Sequence, residues 1–188
     1  MTDPTLSDGN ARTFIGRALN RILGRSDITI AGQLYMRRWR LVHTRWFGIR
    51  VHQIVRSDNR DVHDHPFAFV SFILRGGYYE NRPVHTRAFL EWRIAYRKEL
   101  EPGDLDTTAR WCGPGTLVFR RARDLHRLDL KCEQGGGDER PCWTLVFRGP
   151  TEHDWGFMPP TGWIGADEYK AQRHAWEEKA ARAARGSY

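Results

Sequence analysis

One stretch constrains the fold of this chain more than any other. The run Phe67-Ala68-Phe69-Val70-Ser71-Phe72-Ile73-Leu74 is apolar in almost every position and stops at Gly76-Gly77. Such a run is too short for a buried helix and predicts a strand covered on both faces. It is entered through Asp61-Val62-His63-Asp64-His65-Pro66. In an extended segment, residues i and i+2 share a face, so His63 and His65 project side by side. Two imidazoles aimed at one point suit a metal ion held inside a β-structure.

The flanking chain repeats the strand signal. Gln33–Val42, Trp46–Val55, Tyr78–Arg82, Arg87–Leu100, Thr116–Arg120, Leu125–Leu130 and Cys142–Phe147 all read as strands. Turns are expected at Ser57–Arg60, Pro102–Asp104, Trp111–Gly115 and in the glycine-rich loop Gln134–Asp138. Helical spacing occurs only near the ends. Phe14, Ile15, Ala18, Leu19, Ile22 and Leu23 lie on one face of a helix over 13–23, and 166–185 is an Ala/Glu/Lys/Arg helix. No strand-helix-strand alternation supports a parallel sheet. The domain plan is a tail and helix over 1–32, a β-domain over 33–160 and a helical tail over 161–188.

Composition narrows the function classes. With 188 residues and 40% hydrophobic content, the chain can bury a core. No apolar run reaches the ~20 residues of a membrane span. Residues 1–10 lack a signal peptide's apolar segment, so a cytoplasmic protein with no membrane partner is expected. The net charge of +7 suits an anionic small molecule. Arginines carry most of it but are dispersed, which argues against dedicated nucleic-acid binding. Cys112, Cys132 and Cys142 show no C-x-x-C spacing, so neither a disulfide framework nor a thiolate zinc site is expected.

His63-x-His65 followed by Gly76, then Pro114-Gly115, Thr116–Arg120 and His126, resembles the two motifs of the cupin superfamily over about residues 50–150. The resemblance implies an all-β, double-stranded β-helix (jelly-roll, cupin barrel) with short N- and C-terminal helices. It implies a mononuclear divalent metal held by His63, His65 and His126, with Fe(II) preferred and Zn, Ni, Mn or Cu as alternatives. Many cupins add a glutamate four or five residues beyond the second histidine. Phe69 and Val70 stand there, so a ligand set of three histidines is expected. Glu80, on the next strand, reads as a rim residue. Asp61 and Asp64 are the candidates to orient the ligand rings, with solvent exposure as the alternative.

Thr151-x-His153-x-Trp155 resembles the Ser-x-His-x-Tyr triad of the thiol-dioxygenase branch, with tryptophan in place of tyrosine. His153 and Tyr78 are therefore the candidate catalytic residues. Arg50 is the candidate for binding an anionic substrate through its planar fork. Trp39, Trp92, Trp111 and Trp143 are assigned to the core. The expected activity is an Fe(II) oxygenase or dioxygenase acting with O₂ on a small polar or anionic molecule. A metal-dependent isomerase, epimerase or lyase and a non-catalytic small-ligand-binding cupin are the alternatives, and a homodimer formed by edge pairing is compatible with the resemblance.

Overall fold

The computed structural model describes residues 24–30, 32–58, 61–101, 103–132, 138–173 and 175. The expected helix over 13–23 and most of the glycine-rich loop lie outside them, as does the chain beyond 175.

Eleven strands are ordered along the described chain: β1 (Arg25–Ile30), β2 (Gln33–His43), β3 (Gly48–Ile54), β4 (Phe69–Arg75), β5 (Tyr78–Pro83), β6 (Thr107–Cys112), β7 (Leu117–Arg120), β8 (Arg127–Leu130), β9 (Cys142–Arg148), β10 (Gly156–Phe157) and β11 (Ile164–Gly165). They form a six-stranded sheet in the order β1-β2-β3-β9-β4-β7, a three-stranded sheet β6-β5-β8 and a two-stranded ribbon β10-β11. The pairings are antiparallel throughout.

The jelly-roll barrel expected from the sequence is not formed: among the described residues no sheet closes on itself. β1 and β7 end one sheet, and β6 and β8 end the other. The segment from Asp61 to Ala68 joins only through isolated pairs, His63 with His126 and His63 with Phe157. Two local features keep it from extending a ladder. Pro66 has no N–H to donate. The Asp64 carboxylate turns inward and accepts from the Gly156 N–H at 2.7 Å and the Trp163 indole N–H at 3.0 Å.

The two sheets are joined by side-chain packing. Met36, Ile54, Ile73, Val118 and Cys142 from the large sheet meet Tyr78, Cys112, Leu128 and Leu130 from the small one. Alternation explains the selection, since every second residue of each strand faces this core. β4 shows it well: Phe69, Ser71 and Ile73 are buried, while Leu74 and Arg75 reach solvent.

Arg87–Arg97 is a helix, α1, where the sequence suggested a strand. Thr86 caps it by accepting from the Phe89 N–H, and Lys98 ends it at φ 75°. Read at a period of 3.6, Leu90 and Ile94 face inward while Glu91, Trp92 and Tyr96 face out. Leu90 packs with Val62, Leu100, Leu125 and Met158, so the helix braces the back of the His63 segment. The core assignment fails for Trp92 and Trp111, which are 57% and 43% exposed, and holds for Trp39, which stacks on Trp143. β6 also takes in Trp111 and Cys112, which had been expected in a turn. Residues 166–173 are helical, as expected. Among the described residues, no helix is long and apolar enough to cross a membrane.

Gly76 makes the β4–β5 turn at φ 77°, and a Cβ there would overlap the Pro141 carbonyl oxygen. Gly76→Ala is expected to lower stability by at least about 2 kcal/mol, from left-handed strain plus backbone overlap. Urea unfolding with an unchanged slope measures it, and an unshifted midpoint would refute it.

Candidate metal centre

The two histidines of His-x-His are placed by backbone hydrogen bonds instead of a continuous strand. The His63 N–H donates to the His126 carbonyl at 2.9 Å, and the His126 N–H returns a bond to His63 at 3.0 Å. The Asp64 N–H donates to Gly156 at 3.0 Å and the His65 N–H to Ala122 at 3.0 Å. This reciprocal pairing sets His63 directly against His126, at the mouth of β8.

The three rings converge. Their centroids form a nearly equilateral triangle with sides of 5.1, 5.1 and 5.0 Å. One ring nitrogen from each lies within 4.8 Å of the others. His65 Nε2 and His126 Nε2 are 2.8 Å apart. Two nitrogens about 2.1 Å from one ion, at right angles, sit about 3 Å apart, so this spacing fits a shared ion.

Burial favours the neutral form of His63 and His65. Burial lowers the His63 pKa to about 4; nearby Asp58 opposes the shift and His126 adds to it. Burial likewise pushes His65 well below the ordinary imidazole value, with His126 and His63 contributing. Neutral rings offer lone pairs to a metal near pH 7.

A carboxylate that the sequence reading placed on the rim orients the third ring. Glu80 is fully buried. Its Oε1 lies 2.9 Å from His126 Nδ1 and 2.7 Å from Arg120 Nε, and Oε2 also meets the Arg120 guanidinium. Burial alone would raise its pKa, but the bonds from His126 and Arg120 outweigh this and bring it to about 2. Glu80 is therefore an acceptor, so His126 carries its proton on Nδ1 and directs the Nε2 lone pair at the other histidines. Alternation contained this signal: Glu80 pairs across with Leu128, two residues from His126.

Neither Asp61 nor Asp64 orients a ligand ring. Asp61 accepts from the Tyr169 hydroxyl at 2.7 Å. Asp64 is fully buried and also holds the Arg87 guanidinium, so it anchors the loop. The carboxylate nearest His63 Nδ1 is Asp58, at 3.9 Å. Asp58 is itself fixed by the Tyr35 hydroxyl and the Leu128 N–H.

A cavity of about 100 Å³ opens beside the histidines. Arg50 and Tyr78 line it, together with Tyr35, Arg38, His52, Phe67, Phe69, Ser71 and Thr144. Burial raises the Tyr78 phenol well above its ordinary value, with Glu80 adding to the shift. Burial, with Arg38, Arg148 and Arg40, lowers Arg50 to about 10. His153 lies in the loop after β9, where its Nδ1 meets the Asp154 carbonyl, and is not among the cavity's lining residues. Arg38 is the charged lining residue that the sequence did not single out; its even spacing from Met36 on β2 was the available signal.

No protein-family model and no curated protein matches the chain. Among solved structures, the DMSP lyase DddQ from Ruegeria pomeroyi DSS-3 aligns with a TM-score of 0.50 at 18% identity, over 86% of this chain and 75% of that one. An RmlC-like cupin from Shewanella frigidimarina NCIMB 400 aligns at 0.45 and 12% identity, over 71% and 88%. The polyketide cyclase RemF from Streptomyces resistomycificus aligns at 0.44 and 12% identity, over 69% and 75%. These are likenesses of fold. The chain carries a three-histidine cluster able to coordinate a divalent metal ion.

Proposed function

We propose that the protein is a mononuclear non-heme metal enzyme, an Fe(II) oxygenase acting on a small anionic molecule. The observation that carries this reading is the convergence of three histidines, with no carboxylate among them, on a cavity lined by arginine. Such a ligand set leaves a divalent ion its full charge and open positions; bound iron would supply Lewis acidity and a centre for O₂.

The chain's own residues have separable tasks in this reading. His63, His65 and His126 hold the ion. Glu80 keeps the proton on His126 Nδ1. Arg50 and Arg38 orient the substrate's anionic group. Phe67 and Phe69, whose rings pack against His65, exclude water from that side. Tyr78 keeps its proton at neutral pH and serves as a hydrogen-bond donor. A metal-dependent lyase or isomerase is the second reading, favoured by the two phenols, Tyr35 and Tyr78, beside the ligand set.

Metal analysis of protein purified without added metal, combined with O₂ uptake, tests the proposal. Near-stoichiometric iron and O₂ uptake dependent on a small acid are expected. Zinc or nickel without O₂ uptake would overturn the oxygenase reading in favour of the second.

A further inference from the structure

The wall formed by β2 and β3 carries a charge imbalance. Arg38 pairs across the ladder with His52, and Arg50 lies two residues along β3 on the same face. All three line the cavity, and no aspartate or glutamate does. Arg38 Nε, Arg50 Nε and His52 Nε2 are buried without a hydrogen-bond partner. Neither guanidinium forms an ion pair among the described residues; the Arg50 guanidinium lies over the Phe67 ring, 5.4 Å from its centroid. Arg120 and Arg87, by contrast, meet carboxylates, Glu80 and Asp64, while the buried Arg148 is held by the Thr44 and Gly149 carbonyls.

Both arginines are half-buried, where a charge partly removed from water favours a counterion, and their buried Nε donors favour a hydrogen-bond partner. Two guanidinium groups on one wall, beside a centre that would add a divalent cation, call for at least two negative charges in the occupant. Diagonal neighbours on paired strands lie about 7–8 Å apart at most, so both forks reach one small molecule. A cavity of about 100 Å³, below the roughly 300–1,000 Å³ of sites for drug-sized ligands, suits a small occupant.

We propose that the site takes a small dianion, with one acid group docked on Arg38, His52 and Arg50 and the other facing the three histidines. This inference rests on the reading of the cavity as a substrate site. It narrows the substrate class to short dicarboxylates or similarly small phosphorylated molecules.

The test is binding of malonate, inorganic phosphate and acetate to the full-length protein by calorimetry at pH 7.5 and fixed ionic strength, before and after treatment with a chelator. At least one of the two dianions is expected to bind at least about tenfold more tightly than acetate in both preparations. Which of them binds separates the dicarboxylate class from the phosphate class. Arg38→Met and Arg50→Met are each expected to weaken that binding about tenfold or more while leaving metal content and circular dichroism unchanged. Acetate binding as well as both dianions, or wild-type dianion affinity in both folded variants, would overturn the inference. Metal content and O₂ uptake are independent readouts, so failure here is distinguishable from failure of the oxygenase assignment. Should one variant misfold, Arg38→Gln or Arg50→Gln reads the same wall with a smaller change in shape.

Discussion

His63→Ala and His126→Ala should each strip the protein of its metal while leaving it folded. Either substitution removes one of three candidate ligands whose nitrogens converge within 4.8 Å. Loss of a group that merely orients a ligand costs 10–100-fold in affinity, so loss of a ligand should cost more than about 100-fold. Metal content after gel filtration measures the effect, and circular dichroism reports the fold. The fold should survive because the reciprocal His63–His126 bonds are made by the backbone. Wild-type metal content in both variants would remove the metal centre from the account of this protein.

A pH dependence accompanies this prediction. The folded His63 pKa, about 4, lies below the ordinary imidazole value of 6.5. The unfolded chain therefore binds the proton more readily over that window. Metal-free protein should keep this contribution to stability above about pH 6.5 and lose it as the pH falls toward 4. Denaturant midpoints of chelator-treated protein across that range check the sign.

Glu80→Ala should be the most destabilising single change at the site. The carboxylate is fully buried and bonded to both Arg120 and His126. Its removal leaves the Arg120 guanidinium, whose side chain is 10% exposed, without its counterion. Removing one partner of a buried pair costs about 3–5 kcal/mol. Glu80→Gln keeps the shape but not the charge. It should retain more stability yet still lose metal affinity about 10–100-fold, because the His126 tautomer is no longer enforced. A Glu80→Ala variant as stable as wild type in urea would show that Arg120 finds another partner. The folded Glu80 pKa, about 2, lies below the ordinary 4.5, so wild type holds this stabilisation above about pH 4.5 and loses it as the pH falls toward 2. Glu80→Ala should flatten the acid limb of the stability profile.

The same residues show how far the sequence could be read. β2, β3, β4 and β9 were visible because period-2 alternation and apolar runs survive in any strand that packs on a core. Arg87–Arg97 was misread because its short mixture of aromatic and charged residues satisfies two periods at once; the Thr86 cap and the burial of Leu90 decide for the helix. β10 and β11 are two residues each, too short to carry a period. Open sheets in place of the expected barrel reflect hydrogen bonds that alternation does not encode: Pro66 lacks its donor, and Asp64 takes the Gly156 N–H.

By itself, the sequence determined the candidate ligand types and their order: His63 and His65 ahead of a buried strand, His126 sixty-one residues beyond His65, and no carboxylate at Phe69 or Val70. Local chemistry is enough for that, because residue identity and spacing are properties of the chain. Tertiary structure alone decided which groups serve those ligands. Glu80 meets His126 across the β5–β8 ladder, Asp58 rather than Asp64 stands nearest His63, and Arg38 joins Arg50 across β2 and β3. These pairings depend on strand register, and a one-residue slip would turn every one of those side chains to the opposite face.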